Sequence, residues 1–285
     1  MLARLFVLLQ YVLPRYWLTS LIYRVARVRN VAVKDFLIRR FIKLYDVNID
    51  EVKLEVPAGF ETLNAFFIRE LGDGVRPVDR KASAVVSPVD GIVSSAGKID
   101  GNRIFQAKGL DYSLEDLLAT DLQQARRFVD GAYATIYLAP YNYHRVHAPC
   151  DGRLTAAHYI PGDLFSVNTA TAANVRGLFR RNERLALHFE TDRGPWSLIF
   201  IGALNVGSIS TPWSGEVRPR KSGVVETFYL DDAPRDVQKG DLLGWFNMGS
   251  TVILLTPARY CEWNDALVAD ATVQMGERIG TTTGS

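Results

Sequence analysis

The sequence predicts an α+β fold, in which a β-rich body with flanking helices follows a helical N-terminal arm. Near residue 50 the chain changes from apolar and basic runs to short β-branched and aromatic runs separated by Gly, Pro, Asp and Asn. Helical patterns beyond that point are few and do not alternate with the strands, which disfavours a βαβ arrangement. We therefore expect an arm over residues 1–50 and a sandwich-like or barrel-like body over residues 51–285.

The N-terminal arm is strongly cationic. Residues 1–45 contain nine basic residues and one acidic residue, Asp35, whereas the other 240 residues contain 24 basic and 30 acidic residues. The net charge of +2 therefore combines a net charge of +8 over residues 1–45 with a net charge of −6 over residues 46–285. The nine basic residues are Arg4, Arg15, Arg24, Arg27, Arg29, Lys34, Arg39, Arg40 and Lys43.

The arm is also apolar, because the runs LFVLLQYVLP (5–14) and YWLTSLIY (16–23) lie between its charges. Neither run reaches the roughly 20 residues that a helix needs to span a bilayer. No A-x-A-like cleavage site follows Pro14, as a signal peptide would require. The arm is therefore predicted to be neither a membrane span nor a cleaved leader.

The end of the arm has the spacing of an amphipathic helix, with Val33, Leu37, Phe41 and Leu44 on one face. Basic residues mixed with Trp, Tyr and Leu are typical of helices that lie in an anionic membrane interface. A nucleic-acid-binding arm would be more polar and less aliphatic. We expect peripheral attachment to the cytoplasmic side of the cell membrane, and no nucleic-acid partner.

In the body, strands are predicted over residues 82–100 (with a Pro-Asp-Gly turn between two strands), 132–140, 196–206 and 251–257. Helices are predicted over ETLNAFFIREL (61–71) and SLEDLLATDL (113–122), where Ser113 and Asp116 resemble a capping box. A linker between arm and body is expected within residues 46–59. The two cysteines, Cys150 and Cys261, are too few for a disulfide framework and are predicted to be small buried residues, although a catalytic thiol at Cys150 stays open.

Three polar residues in the body are candidates for chemistry. His144 and His147 lie close together in YNYHRVHAP, and Asp90 lies in the turn SPVDGIV. Two histidines at this spacing are a weak zinc signal without the Glu of H-E-x-x-H and without a third ligand, so no metal is predicted. Hydrogen-bonded structural histidines and an Asp that bonds its own turn remain alternatives.

The fourth candidate is Ser250, which follows Gly249 at the start of the apolar run TVILL (251–255). The segment is not the G-x-S-x-G elbow of an α/β-hydrolase, because the strand-turn-helix context is missing. Gly249 instead offers a carbonyl without a neighbouring Cβ, open to the hydroxyl of the next residue. With His as base and Asp as its orienting partner, the sequence contains the parts that activate a serine, although spacing alone does not show that they meet.

The stretch GWFNMGSTVIL (244–254) resembles the processing site of the phosphatidylserine decarboxylase proenzymes, in which a Gly-Ser bond cleaves itself. Met248 replaces the commoner Leu or Phe before the glycine, a conservative departure. Further segments resemble that family in the same order between about residues 55 and 260: ETLNAFFIREL (61–71), VRPVD (75–79), SPVDG (87–91), QAKGLDYSLEDLL (106–118), YNYHRVHAPCDG (141–152), PGDLFSVN (161–168), RNERLAL (181–187) and IGALNVGSI (201–209).

The resemblance implies that Ser250 attacks the carbonyl of Gly249 and converts the amide into an ester. Elimination and hydrolysis then leave a beta chain of residues 1–249 and an alpha chain of residues 250–285 that begins with a covalent pyruvoyl cofactor derived from Ser250. The ketone forms a Schiff base with phosphatidylserine, loses CO₂ and yields phosphatidylethanolamine. By the family's pattern Asp90 and His147 assist self-cleavage, and His144 serves substrate binding and decarboxylation.

The resemblance also implies association of the alpha and beta chains, a homodimer, and an active site that meets its lipid at the membrane. Two other functional hypotheses remain open at this point. A membrane-associated serine hydrolase would use Ser250, His147 and Asp90 directly on an ester. A lipid-binding module with an inert body would explain the arm but not the Gly-Ser-Thr segment or the two histidines.

Overall fold

The computed structural model describes residues 2–119, 122–228, 230 and 235–283. Within these ranges three helices form the N-terminal arm and five short helices lie in the body. Their bounds are α1 Leu2–Val12, α2 Arg15–Val25, α3 Val31–Tyr45, α4 Leu63–Phe67, α5 Leu114–Leu118, α6 Leu122–Arg126, α7 Thr169–Ala172 and α8 Leu178–Arg181.

The described part of the body contains eighteen strands. Their bounds are β1 Ala84–Val86, β2 Gly91–Lys98, β3 Arg103–Ala107, β4 Leu110–Ser113, β5 Ala132–Leu138, β6 Arg145–His147, β7 Gly152–Ile160, β8 Arg184–Thr191, β9 Gly194–Ile201, β10 Ile209–Thr211, β11 Gly215–Val217, β12 Glu226–Thr227, β13 Asp236–Val237, β14 Leu242–Phe246, β15 Ser250–Thr256, β16 Cys261–Trp263, β17 Thr272–Val273 and β18 Arg278–Thr282.

These strands form four sheets in which every named strand pair is antiparallel. The largest has the order β12-β7-β8-β9-β15-β5-β2-β17, with β13 also paired to β7. A four-stranded sheet, β11-β10-β14-β6, packs on it where the rings of Phe200 and Phe246 meet at 5.3 Å. The α+β class and the β-rich body are confirmed, but the largest described sheet is an open path, so the barrel-like arrangement is wrong.

β15 is the structural centre of this body. It pairs with β5 over Ser250–Thr256 and with β9 over Thr251–Leu255. All seven of its residues are buried, since a strand with neighbours on both edges and packing on both faces contacts no water. The main hydrophobic core surrounds this strand and its neighbours, for example Val252, Leu254, Ile199 and Ile136.

The strands predicted over 82–100, 132–140, 196–206 and 251–257 are present as β1 with β2, β5, β9 and β15. The two predicted helices are shorter than expected. Only Leu63–Phe67 and Leu114–Leu118 are helical, and Ser113 caps the second by accepting a hydrogen bond from the Asp116 backbone N–H at 3.1 Å. Both helices end early because the chain after each must turn back into the body, with Ala119 left-handed at φ 49°. Cys150 and Cys261 are buried, as predicted.

The arm is folded onto the body. Gln10 of α1 accepts a hydrogen bond from the Ser166 backbone N–H at 2.7 Å, and Thr19 of α2 accepts one from the Asn205 N–H at 3.2 Å. A second hydrophobic cluster joins α3 to α4; its members are Ala26, Ile38, Phe41, Val47, Phe60, Leu63, Phe66 and Phe67. No helix in the described ranges has both the length and the apolar character to cross a bilayer.

The buried face of α3 differs from the predicted apolar face. Phe41 is buried as expected, together with Ile38 and Lys34, whereas Val33 and Leu44 are exposed by 42% and 73%. The apolar residues of α3 therefore lie on two faces of the helix. One row packs on the body, and another faces outward.

Candidate active site

The Gly249–Ser250 bond lies at the N-terminal end of the central strand, β15. Ser250 is the first residue of β15, is fully buried and pairs with Leu138 of β5. Its Oγ has no hydrogen-bond partner among the described residues. A buried hydroxyl without a partner costs folding free energy, on the order of 1–3 kcal/mol, a state that Ser250 shares with Thr135 and Thr251.

His144 is the histidine beside this bond. A Cβ placed on Gly249 would lie 3.6 Å from His144 Cε1 and 3.9 Å from Phe67 Cζ. The imidazole stacks on the ring of Phe67, with centroids 4.0 Å apart and planes inclined by 25°. The loop that follows β5 thus brings His144 next to the start of β15, and Phe67 of α4 packs against its ring.

The protonation state of His144 follows from its contacts. Nε2 lies 3.0 Å from the carbonyl oxygen of Ala139, which only accepts, so Nε2 carries the hydrogen. Nδ1 is then a lone pair, buried and without a partner in the described residues. Burial, reinforced by the nearby Arg69 cation, lowers the pKa of His144 to about 3. At neutral pH the ring is uncharged and Nδ1 can accept a proton or a hydrogen bond.

His147, at the end of β6, is held on both ring nitrogens. Nδ1 donates to the carbonyl oxygen of Gly240 at 2.8 Å, which leaves Nε2 to accept from the hydroxyl of Tyr143 at 3.0 Å. Burial lowers the pKa of His147 below its usual value, so this ring is also neutral at pH 7. His147 is therefore a base whose lone pair is covered by the Tyr143 hydroxyl.

Asp90 lies near His147 without bonding to it. The backbone N–H of His147 donates to Pro88 at 2.8 Å, which places the turn that carries Asp90 next to β6. The Asp90 carboxylate accepts from Nε and Nη2 of Arg76 at 2.6–3.0 Å and from the Met275 backbone N–H at 2.8 Å. Arg76 also binds Glu51 at 2.9 Å.

The structure places the predicted residues in two pairs and not in one hydrogen-bonded chain. Asp90 and His147 are neighbours, and His144 adjoins Gly249, whereas the Asp90–His147–Ser250 bonds of a triad are not formed. Sequence reasoning missed Arg76, Tyr143 and Phe67, although all three lie in segments that resemble the family. The missing signal was their tertiary contact with the histidines.

Two cavities open on the two sides of this region. A cavity of about 180 Å³ reaches Gly249 and is lined mainly by aromatic and aliphatic residues; its walls include Phe41 and Tyr45 of α3, Phe67, Tyr137 and Met248. A cavity of about 310 Å³ reaches His147 and is charged; its walls include Lys53, Glu70, Arg76, Arg145 and Tyr143. The arm therefore supplies part of the wall beside the Gly249–Ser250 bond.

A pyruvoyl group derived from Ser250 fits this site. The group would replace the serine side chain and amine at the end of β15, where the unpartnered Oγ now lies. The adjacent cavity, which reaches Gly249, leaves room for a second molecule to approach the carbon atoms of that group at residue 250. Residue 250 pairs with Leu138 of β5, and the residues that follow it pair with both β5 and β9, so the strand that carries the group is held in place.

Comparison with known proteins identifies the family. The sequence model described as "Phosphatidylserine decarboxylase" matches residues 63–281, and one described as "PSD" matches residues 5–46. Proteins named "Phosphatidylserine decarboxylase proenzyme" are similar along nearly their whole length. The one from Chromobacterium violaceum is 46% identical over 279 residues (98% of this chain and 99% of the relative). Those from Pseudomonas aeruginosa and Saccharophagus degradans are 46% and 43% identical, each over 277 residues and 96% of both chains. The chain belongs to the phosphatidylserine decarboxylase family.

Proposed function

We propose that this chain is a phosphatidylserine decarboxylase, made as a proenzyme that cleaves itself between Gly249 and Ser250. The observation that carries the proposal is the buried, unpartnered Ser250 hydroxyl directly after Gly249, at the mouth of the central strand and beside a neutral histidine. Relatives that are 43–46% identical over nearly the full length are named as proenzymes of this activity, which supports it.

Self-cleavage begins when Ser250 Oγ bonds to the carbonyl carbon of Gly249. The hydroxyl proton goes to a base, and the amide nitrogen takes up a proton as the C–N bond breaks, which leaves an ester and a free amine. We assign the base to His147 and its electrostatic support to Asp90, as the family resemblance implies. Both histidines are neutral at pH 7, which is the form that accepts a proton. Elimination of the ester and hydrolysis then yield the cofactor.

In the mature enzyme the pyruvoyl ketone supplies an electron sink for the carbanion that the loss of CO₂ leaves on the substrate. His144 lies against Gly249 with Nδ1 free, so it can hold the headgroup or move a proton there. Phe67, Phe41 and Met248 line the adjoining cavity. A serine hydrolase would keep the Gly249–Ser250 bond intact, so the mass of the purified chain separates it from the proposed function.

The proposal is tested by the intact mass of the purified protein together with a lipid assay. We expect two chains, residues 1–249 and residues 250–285, the second resistant to Edman degradation because a ketone replaces its amine. The same preparation should release CO₂ from phosphatidylserine in mixed vesicles. An active protein that is a single unbroken chain would refute self-cleavage. Its native mass tests the homodimer, which we include in the proposal on family grounds.

Asp90→Asn is expected to slow self-cleavage, because the variant removes the negative charge that faces His147. It also weakens the ion pair between Arg76 and the turn that carries residue 90. Glu51→Gln is the matched control, since it removes the other carboxylate on Arg76 and leaves Asp90 in place. The cut fraction on a denaturing gel, followed over time, measures the effect. Equal rates for Asp90→Asn and the wild type would argue against a role for Asp90.

We further propose that the arm attaches the protein peripherally to the cytoplasmic side of the cell membrane. Twelve of the 18 large hydrophobic side chains exposed in the described structure lie within residues 1–45 of the arm, where they would otherwise face water. They are Leu8, Leu9, Tyr11, Val12, Trp17, Leu21, Val25, Val31, Val33, Phe36, Leu44 and Tyr45. The net charge of +8 over residues 1–45 favours an anionic lipid surface.

The protein is expected to sediment with anionic vesicles, and less so in high salt, because salt at physiological strength screens exposed charges beyond about 8 Å. Trp17→Ser with Phe36→Ser should weaken this binding, whereas Val224→Ser, which alters an exposed apolar residue of the body, should not. Binding to neutral vesicles that equals binding to anionic ones at every salt concentration would contradict the electrostatic part of the proposal.

A further inference from the structure

Glu183 is a buried acid that the proposed chemistry does not use. It directly precedes β8 and is 1% exposed. Its Oε2 accepts a hydrogen bond from the Tyr159 hydroxyl at 2.6 Å, while Oε1 is buried with no partner among the described residues. Burial raises the pKa of Glu183 to about 7. One oxygen of this buried carboxyl group is therefore free for a further contact.

The sheet register places Glu183 in line with Ser250. Ile201 of β9 pairs with Arg184 of β8 on one side and with Thr251 of β15 on the other. One residue beyond the end of β9, the Gly202 backbone N–H donates to the Glu183 carbonyl at 2.9 Å. Continued by that one residue, the β9–β15 register sets Gly202 opposite Ser250. Directly opposed residues on antiparallel strands point to the same face of a sheet. The side chains of Glu183 and Ser250 therefore share one face, with Gly202 between them.

The absence of a side chain at Gly202 leaves this space to the carboxyl group. A Cβ built on Gly202 would lie 2.4 Å from both Cγ and Oε1 of Glu183, so the acid extends over the glycine. Opposed Cβ atoms are about 4.5–5.5 Å apart, which puts Oε1 within about 8 Å of Ser250 Cβ. After cleavage residue 250 is a free chain end and can turn toward the acid. Two unpartnered buried groups, Glu183 Oε1 and Ser250 Oγ, thus face one space.

We propose that Glu183 is a catalytic residue of maturation, which delivers a proton to Cβ of residue 250. The inference rests on the proposed self-cleavage. Elimination of the ester leaves residue 250 as a dehydroalanine with a free amino group. The Glu183 O–H bond then breaks, its proton and the C=C electron pair form the new C–H bond at Cβ, and the nitrogen lone pair closes a C=N bond. Water adds to that carbon, ammonia leaves, and Glu183 regains its proton from solvent.

The environment of Glu183 suits a proton donor. An exposed glutamic acid, with a pKa near 4.3, is ionised at pH 7 and has almost no proton to give. The groups that face Glu183 are the hydroxyl of Tyr159 from β7, Tyr16 from α2 and the Arg220 side chain. The Tyr159 hydrogen bond and Arg220 lower its pKa, but burial outweighs them. Near neutral pH both forms of the acid are populated, as general acid–base catalysis requires.

The test follows the alpha chain during cell-free synthesis by intact mass, in samples quenched over time. In the wild type the ketone-terminated chain should appear as fast as the precursor is cut. In Glu183→Gln the cut should proceed, while an amine-terminated alpha chain accumulates and converts at least about tenfold more slowly. Gly202→Ala, whose methyl group displaces the carboxyl, should give the same accumulation.

Tyr159→Phe is a second test, because it keeps the Glu183 carboxyl group and removes the hydrogen bond that lowers the pKa of Glu183. The acid form then persists to higher pH, so the pH at which conversion slows should move upward. A merely structural role for Glu183 would leave that pH unchanged.

Three results would overturn the inference. One is conversion at the wild-type rate in Glu183→Gln. Another is a folded Glu183→Gln chain that stays uncut, since the acid would then act before cleavage. The third is an unshifted pH profile in Tyr159→Phe, which decides the question where the Gln variant does not fold. A wild-type chain that is never cut before Ser250 would instead refute the proposed function itself.

Discussion

Ser250→Ala is expected to remain a single chain of 285 residues without decarboxylase activity. The variant removes both the nucleophile and the atoms from which the cofactor forms. Folding should survive, because Ser250 Oγ makes no hydrogen bond in the described structure and alanine occupies the same space. Removing an unpartnered buried hydroxyl should leave the free energy of unfolding of the uncut chain unchanged or slightly raised. Intact mass, a thermal melt and CO₂ release measure the three outcomes.

Thr251→Val is the matched control for this variant. Thr251 is the next residue of β15, is equally buried, and its Oγ1 is also without a partner among the described residues. Its side chain points to the opposite face of the sheet, so the control is expected to be cut and active. Ser250→Cys should be cut slowly, because a thiol can still make the acyl shift. Activity in uncut Ser250→Ala would overturn the mechanism and return the serine hydrolase to consideration.

His147→Ala is expected to leave the precursor largely uncut, whereas His144→Ala should be cut but decarboxylate poorly. Loss of a general base lowers a rate by about 10²–10⁴-fold, so each effect should be plain on a gel or in CO₂ release. The structure sharpens this comparison, since His144 contacts Gly249 and His147 is bonded to Tyr143 and Gly240. Exchanged phenotypes would reassign the cleavage base to His144.

Tyr143→Phe separates the two histidines further. It frees Nε2 of His147 from its hydrogen-bond donor without touching His144. If His147 is the base, its lone pair becomes available, and the cut fraction at early times should not fall. Cleavage that requires the Tyr143 hydroxyl would instead make that hydroxyl part of the proton path.

The strands of the body could be predicted from sequence because their β-branched runs end at clear turn residues, as at SPVDG before β2. The helix over 61–71 was overextended, since its apolar pattern continues past Phe67 while the chain turns to bury Arg69. On α3 the apolar residues serve two surfaces, and a single helical face did not separate Ile38 from Val33. Periodicity reports burial but not which partner buries a residue.

The candidate site was predictable as a set of residues and not as a geometry. Ser250, Asp90 and the two histidines were found from their segments, yet one hydrogen-bond partner of His147, the Gly240 carbonyl, lies almost a hundred residues away along the chain. Glu183 lies in the segment RNERLAL that resembles the family, but a role for its side chain depends on a register across β8, β9 and β15 and on a glycine between two side chains. Such relations arise only when the sheet is assembled.

The position of β15 has a consequence for the lifetime of the mature protein. Residues 250–285 supply the middle strand of the largest sheet, two of the three strands of the sheet β1-β18-β16, and the edge strand β17. A cut before Ser250 leaves all of these pairings in place, so the two chains stay interleaved without a covalent link. Once denatured, however, the short chain would have to find its partner and insert between β5 and β9 by a bimolecular route. The mature molecule is therefore expected to persist through slow unfolding, with little capacity to refold, so that the uncut precursor alone can establish the fold.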